Sequence, residues 1–180
     1  MPMIHFHHPK GSLDPVKKAA LAEKLTHVLI EIEGGPGMDG PKARSISWVM
    51  FYEIAEDAWM IGGKSDDTYV SPPGKFLVNV HVPEGSLSNA RKAMVQKMVF
   101  ESIFEAFGLE IPADPETVSP SIFVMITEWL EGNMGARART FGLADIGAYI
   151  GGTGNSEIRQ RGRHYMQARA KHRATAGYPD

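Results

Sequence analysis

Met3-Ile-His-Phe-His-His-Pro-Lys-Gly-Ser-Leu13 returns 74 residues later in the chain as Leu77-Val-Asn-Val-His-Val-Pro-Glu-Gly-Ser-Leu87. Over residues 3–34 and 77–108, nine of 32 positions are identical, whereas this composition would give about two by chance. With one residue inserted, Val49–Glu53 also aligns with Val124–Glu128. A repeat of this kind indicates two copies of one structural unit.

Each copy is predicted to form a strand, a helix and a second strand. In the first copy, residues 3–8 are rich in strand formers, and Asp14-Pro15 is typical of a helix N-cap followed by proline in the first turn. Apolar residues then recur at helical spacing, and Gly34-Gly35 predicts the end of the helix. The closing strand is predicted over Ser45–Glu53.

The second copy repeats this order, and together the two copies predict the fold. Its strand is predicted over 76–82, Ser88 is the expected N-cap, Gly108 ends the helix, and Ser121–Glu128 closes the unit. Two β-α-β units with right-handed crossovers give an α+β fold, a four-stranded mixed sheet with two helices on one face. The other face is left bare and apolar, which predicts oligomerisation through it.

Composition limits the function classes. The 180 residues include no cysteine, which excludes disulfides, thiolate catalysis and cysteine-ligated metals. No apolar run is long enough to span a membrane, and the N-terminal residues lack a signal-peptide layout, so we expect a cytoplasmic protein without a membrane partner. We also expect no cofactor and no metal, because the seven histidines show no metal-ligand spacing and the glycine-rich turns lack the Gly-Lys-Ser/Thr of a phosphate loop.

The chain divides into a body and a basic extension. Residues 2–150 are predicted to be one domain made of the repeats 2–70 and 75–150, whereas residues 151–180 carry six Lys/Arg and two Asp/Glu. The extension is interpreted either as a site for an anionic partner such as nucleic acid or as a solvated helix lying on the acidic body or on a neighbouring subunit. Six dispersed charges favour the helix, and nucleic acid is not expected to bind.

These features resemble the tautomerase superfamily, whose members are built from β-α-β units and carry an amino-terminal proline after the initiator methionine. Pro2–Gly11 is similar to the opening strand and turn of 4-oxalocrotonate tautomerase. Phe51–Gly63, with Trp59 and a Gly-Gly hairpin, is similar to its second strand, and Ile126–Gly135 is similar again. The fused double unit resembles macrophage migration inhibitory factor, cis-3-chloroacrylic acid dehalogenase and malonate semialdehyde decarboxylase.

The resemblance implies a homotrimer in which Pro2 is the catalytic residue, with one site per subunit because Phe76 stands at the matching position of the second copy. It implies that Trp59 walls the site and that Arg137 and Arg139, in an arginine-rich segment similar to that of the decarboxylase, bind substrate; Lys42 is a further candidate. If this segment is extended, both guanidinium groups lie on one side of it. The arginines that the 4-oxalocrotonate family has after the first turn and in the second strand are absent, since Ser12 and Trp48 stand there.

The chemistry of Pro2 follows from its amine. Without Met1 its nitrogen is a secondary amine, and burial in an apolar pocket would lower the amine pKa toward neutrality. Such a base can move a proton between carbon and oxygen of a small oxo-acid or aromatic pyruvate. The alternatives are a hydratase, dehalogenase or decarboxylase of the same superfamily, a catalytically silent trimeric scaffold, and, for Pro2 alone, a proline that merely opens a strand.

Overall fold

A four-stranded sheet forms the centre of the molecule in a computed structural model that describes residues 2–35, 37–151 and 157–177. Its strands lie in the order β2-β1-β3-β4, with β1 and β2 parallel, β3 and β4 parallel, and β1 and β3 antiparallel. The strands are β1 (Met3–Pro9), β2 (Trp48–Ile54), β3 (Phe76–Pro83) and β4 (Ile122–Trp129). The predicted mixed sheet is confirmed, and Pro2 precedes an interior strand.

Helices join and extend the two repeats. They are α1 (Pro15–Gly34), α2 (Pro41–Ile46), α3 (Asn89–Ala106), α4 (Leu143–Tyr149) and α5 (Glu157–Ala176), and a short hairpin of β5 (Gly135–Ala136) and β6 (Arg139–Thr140) follows β4. The predicted caps are confirmed, because the Asp14 carboxylate accepts a hydrogen bond from the Lys17 amide at 2.8 Å and the Ser88 hydroxyl accepts one from Arg91 at 3.3 Å.

The prediction that the second strand begins at Ser45 is wrong. Gly40 and Pro41 occupy the N-cap and first position of α2, which runs to Ile46, and β2 begins only at Trp48. Proline at the first helical position favours this short helix, because its missing N–H would have no partner there in any case. The helix lies at the end of the sheet where Pro2 is, since the amide of Trp48 donates to the Pro2 carbonyl at 3.2 Å.

The sheet has one covered and one bare face. α1 and α3 pack on the inner face, where Ile4, Phe6, Val78 and Val80 are buried with residues of both helices. Strand alternation places the remaining side chains outside. The outer face therefore carries residues none of which is Lys, Arg, Asp or Glu: Met3, His5, His7, Trp48, Met50, Tyr52, Leu77, Asn79, His81, Phe123, Met125, Thr127 and Trp129.

The basic extension contains α5, which contacts the body of its own chain. Arg169 lies 3.2 Å from a carboxylate oxygen of Glu84 and donates to the Glu131 carbonyl at 3.3 Å, while Arg161 donates to the Ser86 carbonyl. Burial, helped by Glu84, raises the pKa of Tyr165 to about 12. In the described residues the extension is therefore a helix that lies on its own protomer, held by Glu84 and by backbone carbonyls. No described helix is long and apolar enough to cross a bilayer.

Candidate active site

Pro2 is buried at the mouth of a small apolar cavity. β1 begins directly after it, and a proline is tolerated at this point because it removes no hydrogen bond within the strand pairing. The cavity measures about 10 Å³, roughly the space needed for one water molecule. It is lined by Pro2, Leu29, Ile30, Gly34, Ala43, Ile46, Ser47, Ile146 and Ile150.

The residues that line this cavity determine how polar the surroundings of an amine at Pro2 would be. Its one polar side chain is Ser47, whose hydroxyl donates to the Ala43 carbonyl at 2.9 Å. An amine released here would lose hydration, which favours its neutral form, and no charged side chain lines the cavity to offset this effect. Met1 lies outside the described residues.

A larger pocket lies beside the Pro2 cavity and opens to solvent. It measures about 290 Å³ and is lined by Ser45, Ile46, Ala136, Arg137, Phe141 and Tyr149. Ile46 belongs to both linings. In addition, Tyr149 of the larger pocket directly precedes Ile150 of the smaller one. A ligand in the larger pocket therefore lies about one side chain away from the space at Pro2.

The two arginines of the predicted site do not lie side by side. Arg137 and Ala138 have φ values of 54° and 56°, so the segment is a tight turn between β5 and β6, not the extended run that we predicted. The Arg137 guanidinium lies 5.1 Å from the centre of the Tyr149 ring, and its Nη2 lies 3.5 Å from the Tyr149 hydroxyl. Arg139 instead pairs with Asp145 at 3.2 Å.

The pairing leaves Arg137 as the available cation of the hairpin. No carboxylate of the described residues lies within ion-pair distance of its guanidinium, whereas Arg139 is neutralised by Asp145 and lies over the Phe141 ring at 5.5 Å. Lys42 lies nearby on α2 and is exposed; its carbonyl accepts the Ser45 hydroxyl at 2.8 Å. A single unpaired guanidinium therefore faces the larger pocket, with a lysine near its rim.

Tyr149 is a polar side chain of this pocket that lies outside the predicted site. Its hydroxyl lies 3.3 Å from that of Ser45. Hydrogen bonding to Ser45 lowers the pKa of Tyr149, and the charges of Arg137 and Lys42 add to the effect. It could not be found by comparing the repeats, because α4 comes after the β5–β6 hairpin of the second repeat and the first repeat has no matching α-helix after its own hairpin.

Trp59 does not approach Pro2 within one protomer. Pro2 lies next to the start of β2, whereas Trp59 follows its end, about 20 Å away for seven residues at roughly 3.3 Å each. The Trp59 carbonyl accepts the Lys75 ammonium at 3.0 Å, directly before β3. Arg137 follows β4, whose end pairs with Pro83 at the Pro2 end of the sheet. The single chain thus brings Pro2, Lys42 and Arg137 to one end and leaves Trp59 at the other.

The chain is similar in fold to solved structures of one group of proteins. A fused 4-OT wild type symmetric trimer is 18% identical, with 81% of this chain and 98% of that chain covered and a TM-score of 0.57. N1, a member of the cis-3-chloroacrylic acid dehalogenase family, is 18% identical, with 77% and 82% covered and a TM-score of 0.58. Macrophage migration inhibitory factor of Toxoplasma gondii is 14% identical, with 77% and 99% covered and a TM-score of 0.55.

The comparisons establish the fold. No family model and no curated protein matches the chain, and identities below one fifth establish a shared architecture, not a shared activity. The predicted tautomerase-like fold is confirmed, and the roles of individual residues must be argued from the site itself.

Proposed function

We propose that this chain, with its tautomerase fold, is a proline-dependent isomerase of the tautomerase superfamily acting on a small oxo-acid or an aromatic pyruvate. One observation carries the proposal: Pro2 is buried in an apolar cavity at the head of an interior strand. The second repeat offers no such group, since Phe76 fills the matching position. Each subunit then has a single base.

The proposed reaction is a proton transfer between carbon and oxygen. Removal of Met1 frees the Pro2 amine, which the apolar lining keeps neutral near pH 7. The amine takes the proton of the enol hydroxyl and returns a proton to the neighbouring carbon, so that enol becomes ketone without loss of atoms. A cation from the hairpin at the same end of the sheet stabilises the negative charge that develops on the oxygen.

We further propose that the protein is a homotrimer. Among the described residues the outer sheet face carries no Lys, Arg, Asp or Glu, and covering it removes large exposed apolar side chains such as Phe123 and Met125 from water. The fused 4-OT with a similar fold is a symmetric trimer. In such an assembly Trp59, which is remote from Pro2 of its own chain, could line the Pro2 site of a neighbour.

A catalytically silent scaffold is the alternative that one observation favours. The cavity at Pro2 holds about 10 Å³, so a substrate can enter only if lining side chains such as Ile46, Ile146 or Ile150 move. A protein that has lost its chemistry needs no such movement.

The decisive experiment measures ketonisation of phenylenolpyruvate and 2-hydroxymuconate by protein whose intact mass shows that Met1 is removed. Pro2→Ala is expected to lower kcat/KM by about 10²–10⁴-fold, the contribution of a positioned acid–base group. Pro15→Ala, which changes an exposed proline at a helix start, is the matched control. Full activity in Pro2→Ala would remove Pro2 from the mechanism, and an inactive wild-type protein lacking Met1 would favour the scaffold. Hydration, halide release or decarboxylation without ketonisation would favour the other reactions of the superfamily.

A covalent probe tests the same residue independently of turnover. 2-Oxo-3-pentynoate inactivates another protein of this fold. We expect one equivalent to attach to the Pro2 nitrogen, as mapped by peptide mass spectrometry. Attachment elsewhere, or only at exposed lysines, would contradict a reactive amine at Pro2.

A further inference from the structure

The second repeat ends differently from the first. Its hairpin turn, Arg137-Ala138, corresponds to Gly62-Gly63 of the first repeat once the one-residue insertion is counted. All four turn residues have positive φ, which strains an arginine or an alanine but not a glycine. After this hairpin the second repeat adds α4 and α5, whereas the described residues between the first hairpin and β3 include no α-helix. The two C-terminal helices are therefore an addition to the duplicated unit.

The first of these helices closes the cavity at Pro2. Ile146 on α4 and Ile150 directly after it both line the cavity, and Ile146 is fully buried. Ile150 also reaches the end of α1, since its Cδ1 lies 3.6 Å from the position that a Cβ would take on Gly34. Pro2 is itself buried, and the cavity has room for about one water molecule. A ligand therefore reaches Pro2 only when lining side chains such as these move away.

The residues of α4 do not belong to the main core. Leu143 and Ile146 are buried with Phe141 in a small separate cluster, whereas the main core is formed by the sheet with α1 and α3. Satellite clusters of this kind open locally at a lower free energy than the core of a domain. The contacts that keep α4 in place therefore lie outside the sheet.

The second C-terminal helix, α5, packs directly on α4. Gly162 is buried within α5, where a Cβ would lie 3.4 Å from Leu143 Cγ and 3.7 Å from the Ala144 amide nitrogen. Glycine is unfavourable inside a helix, and this close approach of the two helices accounts for its presence. Glu131 joins the helices again, because its carbonyl accepts Arg169 of α5 at 3.3 Å and its carboxylate accepts the Leu143 amide at 3.5 Å. The start of α4 is thus held by α5 at two points.

The helix α5 is anchored to a turn of the second repeat that stays uncovered in the first. Ring atoms of Tyr165 occupy the space that a side chain at Gly85 would need, whereas a Cβ on the matching Gly11 would have no neighbour within 4 Å. Beside this contact, Arg169 lies 3.2 Å from a carboxylate oxygen of Glu84. Both anchors lie on the turn after β3 and not on α4, so they fix α5 independently of α4.

We propose that α5 is an intramolecular strap that holds α4 closed over Pro2, and that displacement of α5 opens the cavity to a ligand. The strap is fixed to the turn after β3 and packs Gly162 against Leu143. The helix α4 in turn keeps Ile146 and Ile150 beside Pro2. Access to Pro2 is then controlled by the C-terminal extension and not by the duplicated unit. The closure itself does not depend on the proposed function, whereas its effect on turnover rests on it.

A single introduced thiol can report the opening of the cavity, because the chain has no cysteine. Ala43→Cys places the thiol in the cavity lining, at a residue that is 4% exposed. Tyr165→Ala combined with Arg169→Ala, the release variant, removes both anchors of α5 in the full-length chain. It is expected to raise the rate of thiol reaction with dithionitrobenzoate by about tenfold or more, because local opening controls the access of the reagent. His164→Ala combined with Lys171→Ala, exposed on the same helix, is the matched control and should leave this rate unchanged.

Hydrogen exchange, measured with Ala43 intact, separates opening of α4 from general destabilisation. In the release variant the amides of α5 should exchange faster, and so should those of Ile146 and Ile150, which donate within the α4 segment at 3.0 Å. The amides of β1 and β3 should keep their protection. An unchanged thiol rate, an equal rise in the control, α5 amides as protected as in the wild type, or an equal loss of protection in the sheet would each overturn the proposal.

Turnover distinguishes a failure of the strap from a failure of the proposed function. The release variant, with Ala43 and Pro2 intact, should ketonise phenylenolpyruvate with a higher kcat/KM than the wild type. If the cavity opens but neither protein ketonises this substrate, the proposed function fails and the strap stands. If the wild type is active but neither the thiol rate nor turnover responds to the release of α5, the strap fails and Pro2 stands.

Discussion

The two ends of the sheet have equivalent backbones but different side chains. At one end Pro2 heads β1 beside the Arg137 hairpin, and at the other Phe76 heads β3 beside the hairpin of Gly62 and Gly63. The Pro2 carbonyl accepts the Trp48 amide at 3.2 Å, and the opening of the second repeat is held to its partner strand through Phe76 and Ser121 at 2.9 Å. Duplication has thus produced two matching positions, of which one borders the small apolar cavity at Pro2 and the other is filled by the Phe76 ring.

The Phe76 side chain is packed into the core. The Phe76 ring is 1% exposed and lies 5.5 Å from both Phe6 and Phe107, measured between ring centres. Lys75 before it is 3% exposed, and its ammonium donates to the carbonyls of Trp59 at 3.0 Å and Ser65 at 2.7 Å. The comparison teaches that the Phe76 position is packed into the core, whereas the matching Pro2 position borders an apolar cavity at the end of the sheet that also carries the strained Arg137 turn.

The largest expected effect is a difference in stability between truncation of Phe76 and truncation of Pro2, which occupy matching positions of the two repeats. Phe76→Ala should lower the free energy of unfolding by about 3–5 kcal/mol, because it leaves a cavity in the core. Pro2→Ala should change this free energy by less than about 1 kcal/mol, since an empty space already lies beside Pro2. Urea unfolding of both variants measures the difference. Similar losses in the two variants would mean that the ends are built alike.

The next effect concerns the buried lysine of the filled end. Lys75→Met keeps the aliphatic stem but leaves the carbonyls of Trp59 and Ser65 without their donor, which should cost about 1–3 kcal/mol of unfolding free energy. Lys64→Met, in the neighbouring exposed turn, is the control. A variant as stable as the wild type would show that these carbonyls find other donors.

These two ends also show how much of the fold and of the candidate site can be predicted from the sequence. The repeat, the caps at Asp14 and Ser88 and the β-α-β order are local patterns, and they give the sheet correctly. Periodicity places Val16 on the apolar stripe of α1, yet it is 78% exposed, because it precedes the part of the helix that packs on the sheet. Pro2 can be singled out from the sequence because the chemistry of its secondary amine does not require a second residue.

The remainder of the candidate site depends on contacts between distant segments. Tyr149 meets Ser45 across 104 residues of sequence, and no spacing rule connects them. Arg137 and Arg139 look equivalent in sequence, and only the turn and Asp145 separate their roles. Trp59 matches the resemblance, but within its own chain it lies at the opposite end of the sheet from Pro2.

The paired turns allow a smaller, reciprocal test. Gly63→Ala should lower the free energy of unfolding by about 1 kcal/mol, because an alanine there meets no neighbour within 4 Å and suffers only the backbone penalty. Ala138→Gly, the matching position, should raise it by up to about the same amount. Thermal unfolding of each variant gives the sign. A loss of stability in both would mean that the Arg137 turn is not strained.

Acidification should give the smallest effect in the single chain, on the sheet face between the two ends. His5 and His81 lie with ring centres 4.5 Å apart on this face, and His5 Nε2 and His81 Nδ1 have no hydrogen-bond partner. Burial lowers the pKa of both rings, assisted by the charge of His7 on His5 and of His5 on His81.

The direction of this pH effect follows from linkage. Below the ordinary histidine pKa of 6.5, the unfolded chain binds protons at these two rings that the folded chain does not bind. The free energy of unfolding should therefore fall as the pH drops below about 6.5, and above that pH the two histidines should cause no such loss. His5→Asn, which installs the residue that the second repeat has at Asn79, should flatten the decline between pH 7.5 and 5.5, roughly the range in which histidine titrates. His172→Asn, exposed on α5, is the control. An unchanged decline in His5→Asn combined with His81→Asn would assign the pH dependence to other groups.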